Sequence, residues 1–403
     1  MRNRVRLSVP RQRRGRRGLA CWMERVLEED ARLAKGFDPD RVHDLRTALR
    51  RCRSLAEAFR ELDPHPDWKR MNRQARDCFR ALGDLRESHV MRDWVKRLGL
   101  PRQGYGAWIR AALEMRETEA AGRALAALRV FDRRQWNIWR HYLPLRILRV
   151  ARPRRVFLGL AASRWQMIQR RLVLARRSGS EASLHALRIA VKRFRYLLEN
   201  FLSDLHRRAG EDLKRVQDLL GEIHDLDLLA RLSLPAGRKN GAYPSGGSAS
   251  RDRGGALPAL SRARVRWLRV LRRARDGRVR KLWRSLGGKA SPVARWRALL
   301  PRGRALDRCG VARLEAWAFR VDPDVSHARH VARLSLALYD LLRRRGKLPF
   351  PASFRSRAIL EAAALCHDCG SARSPAGHHK ESFRLLRALP APAEWSSREW
   401  LMC

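Results

Sequence analysis

Two short segments carry cations at a spacing that could hold an extended anion. The first reads Val42-His43-Asp44-Leu45-Arg46-Thr47-Ala48-Leu49-Arg50-Arg51-Cys52-Arg53, the second Leu184-His185-Ala186-Leu187-Arg188-Ile189-Ala190-Val191-Lys192-Arg193-Phe194-Arg195. At about 100° per residue of helix, Arg46, Arg50 and Arg53 fall within about 80° of His43, and Arg188, Lys192 and Arg195 stand in the same relation to His185. The opposite half of each helix is apolar: Leu45, Ala48, Leu49, Cys52, Leu55 and Phe59 in one, Leu187, Ala190, Val191, Phe194, Leu197 and Phe201 in the other. Arg51 and Arg193 flank the rows, and Glu57 and Glu199 extend them by a turn, placed to orient their forks. Guanidinium forks grip phosphate oxygens in pairs, and successive helical turns, about 5.4 Å apart, can meet successive phosphates. Wet helix faces usually mix signs, because like charges at this spacing repel by roughly 0.2–0.5 kcal/mol per pair. Two uniform rows therefore predict that an anion supplies the compensation. Reading bases would need Asn and Gln, and single strands would need aromatic platforms; only Tyr196 lies beside a row. A phosphate chain free of sugars and bases suits the rows better, although charge alone leaves nucleic acid open.

The elements that must present these rows are helices, and they come twice. From His43 to Phe59, nine of 17 positions are identical to those 142 residues later. Leu82-Gly83-Asp84-Leu85-Arg86-Glu87 matches Leu220-Gly221-Glu222-Ile223-His224-Asp225 at an offset of 138, and Trp139-Arg140 matches Trp283-Arg284 at 144. Ordered matches with drifting offsets indicate a duplicated unit with loop insertions, about 18–150 and 155–290. Asp38 before Pro39 is a cap signal for the first row's helix, and Ser180 serves the second. Helical periodicity dominates and strand alternation is nearly absent, so the chain reads as all-α. Residues 1–17 read as a disordered basic tail and 233–258, rich in Gly, Ser and Pro, as a flexible insertion before a last helix at about 261–286. That helix holds eleven basic residues between Arg262 and Arg284 and one acid, Asp276. Residues 291–310 read as a linker and 311–403 as a smaller helical region.

The whole chain agrees with a polyanion partner. Of 403 residues, 45% are hydrophobic, enough for real cores, and the net charge is +49. Lys and Arg total 89, of which ten are lysine, so arginine carries the charge. Such a field draws nucleic acid, anionic membrane or polyphosphate. No apolar run approaches the ~18 residues of a membrane span, no signal peptide is evident, and seven scattered cysteines make no disulfide framework. A cytoplasmic protein is the expectation.

The segments VHDLRTALRRCRS and LHALRIAVKRFRY, each followed by a Leu-Gly-Asp/Glu helix, resemble the two halves of a CHAD domain, the conserved histidine α-helical domain, over 18–290. The resemblance implies two pseudo-symmetric antiparallel helical bundles, with the rows lining a central groove. It also implies binding of inorganic polyphosphate, association with polyphosphate granules, no catalytic apparatus and no cofactor for binding. Carried onto this chain, the ligands would be His43, Arg46, Arg50, Arg53, His185, Arg188, Lys192 and Arg195, with Arg51 and Arg193 secondary.

The C-terminal region, with His327, His367-Asp368 and Gly377-His378-His379-Lys380, is similar to the HD-like region of exopolyphosphatase and guanosine-pentaphosphate phosphatase proteins. HD phosphohydrolases hold a divalent metal with a His, an adjacent His-Asp and a later Asp. His327, His367 and Asp368 match three of these, and His378 or His379 could add a second-site ligand or touch phosphate. No aspartate follows Asp368, so the expected region is an incomplete accessory domain. Cys366 and Cys369 bracket His-Asp at zinc-like spacing, but without a second pair they read as core thiols. The alternatives to polyphosphate binding are a metal-dependent phosphohydrolase acting on polyphosphate or a phosphorylated nucleotide, and a nonspecific nucleic-acid binder using the basic tail and the 262–284 helix.

Overall fold

The structure, a computed structural model, describes residues 18–34, 36–233, 253–288, 291–349 and 353–403, with only the helical path given for 253–260. The basic tail and most of the Gly/Ser-rich insertion lie outside the described residues. These hold fifteen helices and no strand, so the protein is all-α. The first unit comprises α1 (Leu19–Leu33), α2 (Pro39–Phe59), α3 (Pro66–Arg97), α4 (Tyr105–Arg129) and α5 (Arg133–Leu148). The second comprises α6 (Pro153–Ser178), α7 (Glu181–Phe201), α8 (Ser203–Leu232), α9 (Arg253–Leu286) and α10 (Pro292–Ala298). Then follow α11 (Gly303–Val321), α12 (Val325–Arg344), α13 (Phe354–Cys366), α14 (His378–Arg387) and α15 (Ser397–Leu401). None of the described helices is long and apolar enough to cross a membrane.

The two helices carrying the cationic rows begin alike. The Asp38 carboxylate accepts from the backbone N–H groups of Asp40 and Arg41, with Pro39 in the first turn. The Ser180 hydroxyl accepts from Ser183 N–H. Glycine takes the positive φ that each preceding turn requires, +136° at Gly36 and +58° at Gly179. In each unit, helices adjacent in sequence pack as antiparallel neighbours, α1 to α4 and α6 to α9. The units join through equivalent members, α2 against α7 and α3 against α8.

Burial explains that join. Leu45, Ala48, Leu49, Cys52 and Phe59 of α2, and Leu187, Val191, Phe194 and Leu197 of α7, enter one core shared by both units. A second cluster (Met91, Trp94, Tyr105, Ile109, Leu226, Trp267 and Leu271 among its members) ties the far ends of α3, α4, α8 and α9 together. α11 faces two cores: Ala312 and Ala316 join the shared one, while Leu314, Trp317 and Ala318 join that of the C-terminal region. α11 packs on α6. A Cβ at Gly159 of α6 would lie 3.0 Å from Cys309 O, so glycine permits this close approach.

Two expected loops are helical instead. α9 begins at Arg253 rather than near 261, so the end of the 233–258 insertion is helix. Its first residue, Ser233, is buried and held, its carbonyl accepting from Tyr105 Oη at 2.7 Å and its hydroxyl from Trp267 Nε1 at 3.1 Å. The expected linker, 291–310, carries α10 and the first turns of α11. Pro292 there is a helix-start residue behind the Ser291 cap. Trp296 of α10 is 1% exposed, edge-on to Trp165. Trp296→Ala is predicted to cost about 3–5 kcal/mol in urea unfolding. A cost near zero would return the segment to a linker.

Candidate functional site

The faces of α2 and α7 opposite their buried sides meet over a cavity of about 620 Å³, walled also by α3 and α8. His43, Arg46, Arg50 and Arg53 line it from α2, and His185, Arg188, Lys192 and Arg193 from α7. Eight of the ten sequence-predicted residues thus come together. The other two are placed differently. Arg51 donates from Nη2 to Glu199 Oε1 at 2.7 Å and lies over Tyr196 and Trp22. Arg195 turns to the α8 side, donating to Gln217 Oε1 at 3.4 Å. The carboxylates also act across the interface rather than along their own rows. Arg51 pairs with Glu199, and its repeat equivalent Arg193 reaches Glu57 at 3.2 Å. Positions 51 and 193, and 57 and 199, are each 142 apart, so one ion pair is made twice by the duplication.

The cations inside are held without such partners. Among the described residues, no carboxylate lies within 4.0 Å of Arg46, Arg50, Arg53, Arg188 or Lys192, in contrast to Arg51 and Arg193. Arg46 donates to Phe79 O at 2.6 Å and stacks on the Phe79 ring. Arg50 donates to Thr47 Oγ1 at 3.0 Å and lies over Tyr196. The buried Nε atoms of Arg50 and Arg188 have no hydrogen-bond partner. Burial first, and mutual repulsion second, push these groups toward their neutral forms: Arg46 falls to about 10 and Lys192 to about 6. Burial likewise lowers Arg188, His43 and His185, aided by neighbouring arginines. Arg50 and Arg53 are lowered by burial as well.

The rest of the wall escaped sequence reasoning. Arg80, Arg86 and Glu87 of α3, Tyr196 of α7, and His224 and Asp225 of α8 also line the cavity. Arg86-Glu87 and His224-Asp225 are the repeat match at offset 138, a signal that marked register but also marked the site. The His185 and His224 rings lie 4.7 Å apart, and burial beside Arg188 lowers His224 to about 3. Burial raises Glu87 and Asp225. Tyr196, between Arg50 and Arg51, is 5% exposed and already covered by cations.

A separate cluster lies in the C-terminal region. His327 Nε2 stands 4.0 Å from one Asp368 carboxylate oxygen and His367 Nε2 3.7 Å from the same oxygen. His378 Nε2 lies 3.5 Å from the other. One ligand atom each from His327, His367 and Asp368 fall within 4.8 Å of one another. The Nδ1 atoms of His367 and His378 lie 2.8 Å from Ala364 O and 3.0 Å from Pro375 O. A carbonyl can only accept, so both Nδ1 atoms donate, which orients both rings with Nε2 toward Asp368. His379 is edge-on to His378 outside this group. Cys366 and Cys369 are buried outside it too; the Cys366 thiol is held well above its usual value by its hydrogen bond with Cys369 and by burial.

The family described as the CHAD domain matches residues 20–233, which span α1 to α8 and every residue lining the cavity. No curated protein matches the chain.

The buried amine gives a pH signature. Lys192 binds its proton only below about 6 when folded, against 10.5 for an ordinary lysine. Between those values the unfolded chain holds the extra proton, so stability rises with pH. Lys192→Met removes this dependence. Its stability advantage over the wild type is expected to be largest near pH 6 and to shrink toward pH 10, read from urea midpoints at each pH. A pH-independent difference would show that the amine is not desolvated.

Proposed function

The chain belongs to the CHAD domain family, and from that premise we propose that it binds inorganic polyphosphate in the cavity between α2 and α7. One observation carries the reading: two repeat-related cationic rows line a single cavity, with their central members lacking carboxylate partners. A bound phosphate chain replaces the missing negative charge, raises the Lys192 amine back toward its charged form, and gives the unpartnered Nε atoms of Arg50 and Arg188 an acceptor. The lining contains no Asn or Gln to read bases. Its two aromatic rings are already covered by cations, Tyr196 by Arg50 and Arg51 and Phe79 by Arg46 and Arg53, which leaves no free platform for base stacking. These features favour a bare phosphate polymer over nucleic acid in this cavity and suit a protein recruited to polyphosphate granules in the cytoplasm.

Reversing Arg46, Arg50, Arg188 and Lys192 together to Glu is predicted to weaken polyphosphate binding at least 100-fold while circular dichroism retains the helical signal. In competition at fixed salt, polyphosphate should displace DNA from the cavity at far lower phosphate concentration than the reverse. Persistent binding by the folded variant would remove the assignment.

A second reading concerns the C-terminal cluster. His327, His367 and Asp368 would hold a divalent metal, with His378 as the nearest further donor. The oriented imidazoles fit such an ion, since carbonyls hold their Nδ1 atoms and their Nε2 atoms converge on one carboxylate. A bound divalent ion lowers the pKa of coordinated water and so supplies a nucleophile. Imidazole nitrogens favour zinc or iron over magnesium or manganese. Equilibrium dialysis is expected to show one Zn²⁺ or Fe²⁺ per chain, lost in His367→Ala and Asp368→Ala. Phosphate release from polyphosphate that needs the metal and disappears in both variants would make the region a hydrolase. No metal uptake by the wild type would remove the site.

A further inference from the structure

The helices that cover α3 and α8 differ in surface charge. α4 packs on α3 as α9 packs on α8. Yet α4 carries four arginines and three glutamates, whereas 262–284 of α9 carries eleven basic residues and one acid. A general coding preference for arginine would load both helices equally. Arginines on and beside α4 are also paired with carboxylates, as in Arg92–Glu117, Arg116–Glu87 and Arg123–Asp84.

On α9, Trp267, Leu271 and Leu282 are buried. Arg275 and Arg278 turn inward to Asp227 and Glu222 of α8. The outward face is a ridge. At about 100° per residue, Arg262, Arg266, Arg269, Arg273, Arg280 and Arg284 fall within about 60° of one another. All six are exposed, and no ion pair engages any of them among the described residues. The single acid, Asp276, faces Arg275 at 3.8 Å. From Arg262 to Arg284 the ridge extends about 33 Å, at about 1.5 Å per residue, close to one turn of a duplex at about 34 Å.

We infer that this ridge is a second polyanion surface, which docks on the phosphate backbone of double-stranded nucleic acid without reading sequence. Three features select that partner. A convex helix matches a major groove about 12 Å wide, bordered by phosphates on both sides. Residues 262–284 contain no Asn, Gln, Ser or Thr, so the ridge offers phosphate contacts without base readout. A membrane would require an apolar face to insert, but that of α9 is spent on α8, leaving only Val265 and Val270 as large exposed apolar residues of the helix among those described. The ridge lies outside the cavity, so this inference stands apart from the polyphosphate reading.

The test uses the full chain and a random-sequence duplex of 30 base pairs. Six phosphate contacts predict a slope of log affinity against log salt steeper by about 5 than that of a variant with all six ridge arginines changed to Gln. The variant should also bind the duplex at least about 100-fold more weakly at low salt, keep its helical signal, and retain its affinity for long-chain polyphosphate. The cavity charge-reversal variant should retain the ridge-dependent slope. Unchanged duplex affinity or slope in the ridge variant would overturn the inference. An equal loss of polyphosphate binding would assign the ridge to that polymer instead. Displacement of the duplex by phosphatidylglycerol vesicles at lower anionic charge would assign it to a membrane.

Discussion

Burying Leu45, Leu49 and Cys52 on one side of α2, and Leu187, Val191 and Phe194 on one side of α7, leaves Arg46, Arg50, Arg188 and Lys192 facing one another. The apolar faces drive the packing, and the cationic faces must accept its consequence. Each fully buried aliphatic side chain contributes roughly 1.5–3 kcal/mol, enough in sum to hold like charges together that would otherwise separate. The strain appears as lowered proton affinity at Arg46 and Lys192, both desolvated and crowded by other cations. In the proposed reading an anion would relieve it, and the core's packing energy would preorganise the site before any ligand arrives.

The same packing shows how the duplicated halves are locked. Arg51–Glu199 and Arg193–Glu57 are one interaction made twice, at the flanks of the rows, where each half's arginine meets the other half's glutamate. The two are unequal. The first pair is only 12% and 17% exposed, the second 50% and 25%, so solvent screens the second more. Burial raises Glu199, but the Arg51 hydrogen bond and charge outweigh it and hold the carboxylate below its usual value. That contribution is present at neutral pH and is lost as the pH falls below about 4.5 toward the folded value. Divergence after duplication continues around the cavity, where Arg86 and Glu87 of one half correspond to His224 and Asp225 of the other. It extends to the outside, where α4 is nearly balanced and α9 is strongly basic.

Much of this is legible in the amino-acid sequence. Helical period separates Arg46 from Leu45 and Lys192 from Val191, and the repeat sets the two rows in register. The pairing of Arg51 is not legible, because a flank position on a helical wheel is lateral and its partner Glu199 is 148 residues away. Arg80, Arg86 and His224 were missed because α3 and α8 reach the cavity through tertiary packing, which a wheel drawn on α2 or α7 cannot show. The expected linker 291–310 is helical, and its Pro292 and Gly303 stand at helix starts, where proline's fixed φ and glycine's positive φ are accommodated. The C-terminal imidazoles were named from a motif, but the role of His378 depends on a backbone carbonyl that orients its ring.

The central claim is that the two rows form one site and grip one chain together. Calorimetry with a short, homogeneous polyphosphate tests it, using variants neutralised in one row only: Arg46→Gln with Arg50→Gln, or Arg188→Gln with Lys192→Gln. A shared site gives one chain per protein in the wild type and near-complete loss of binding when either row is neutralised. Retention of wild-type affinity with halved capacity in each variant would show two independent sites and contradict the account.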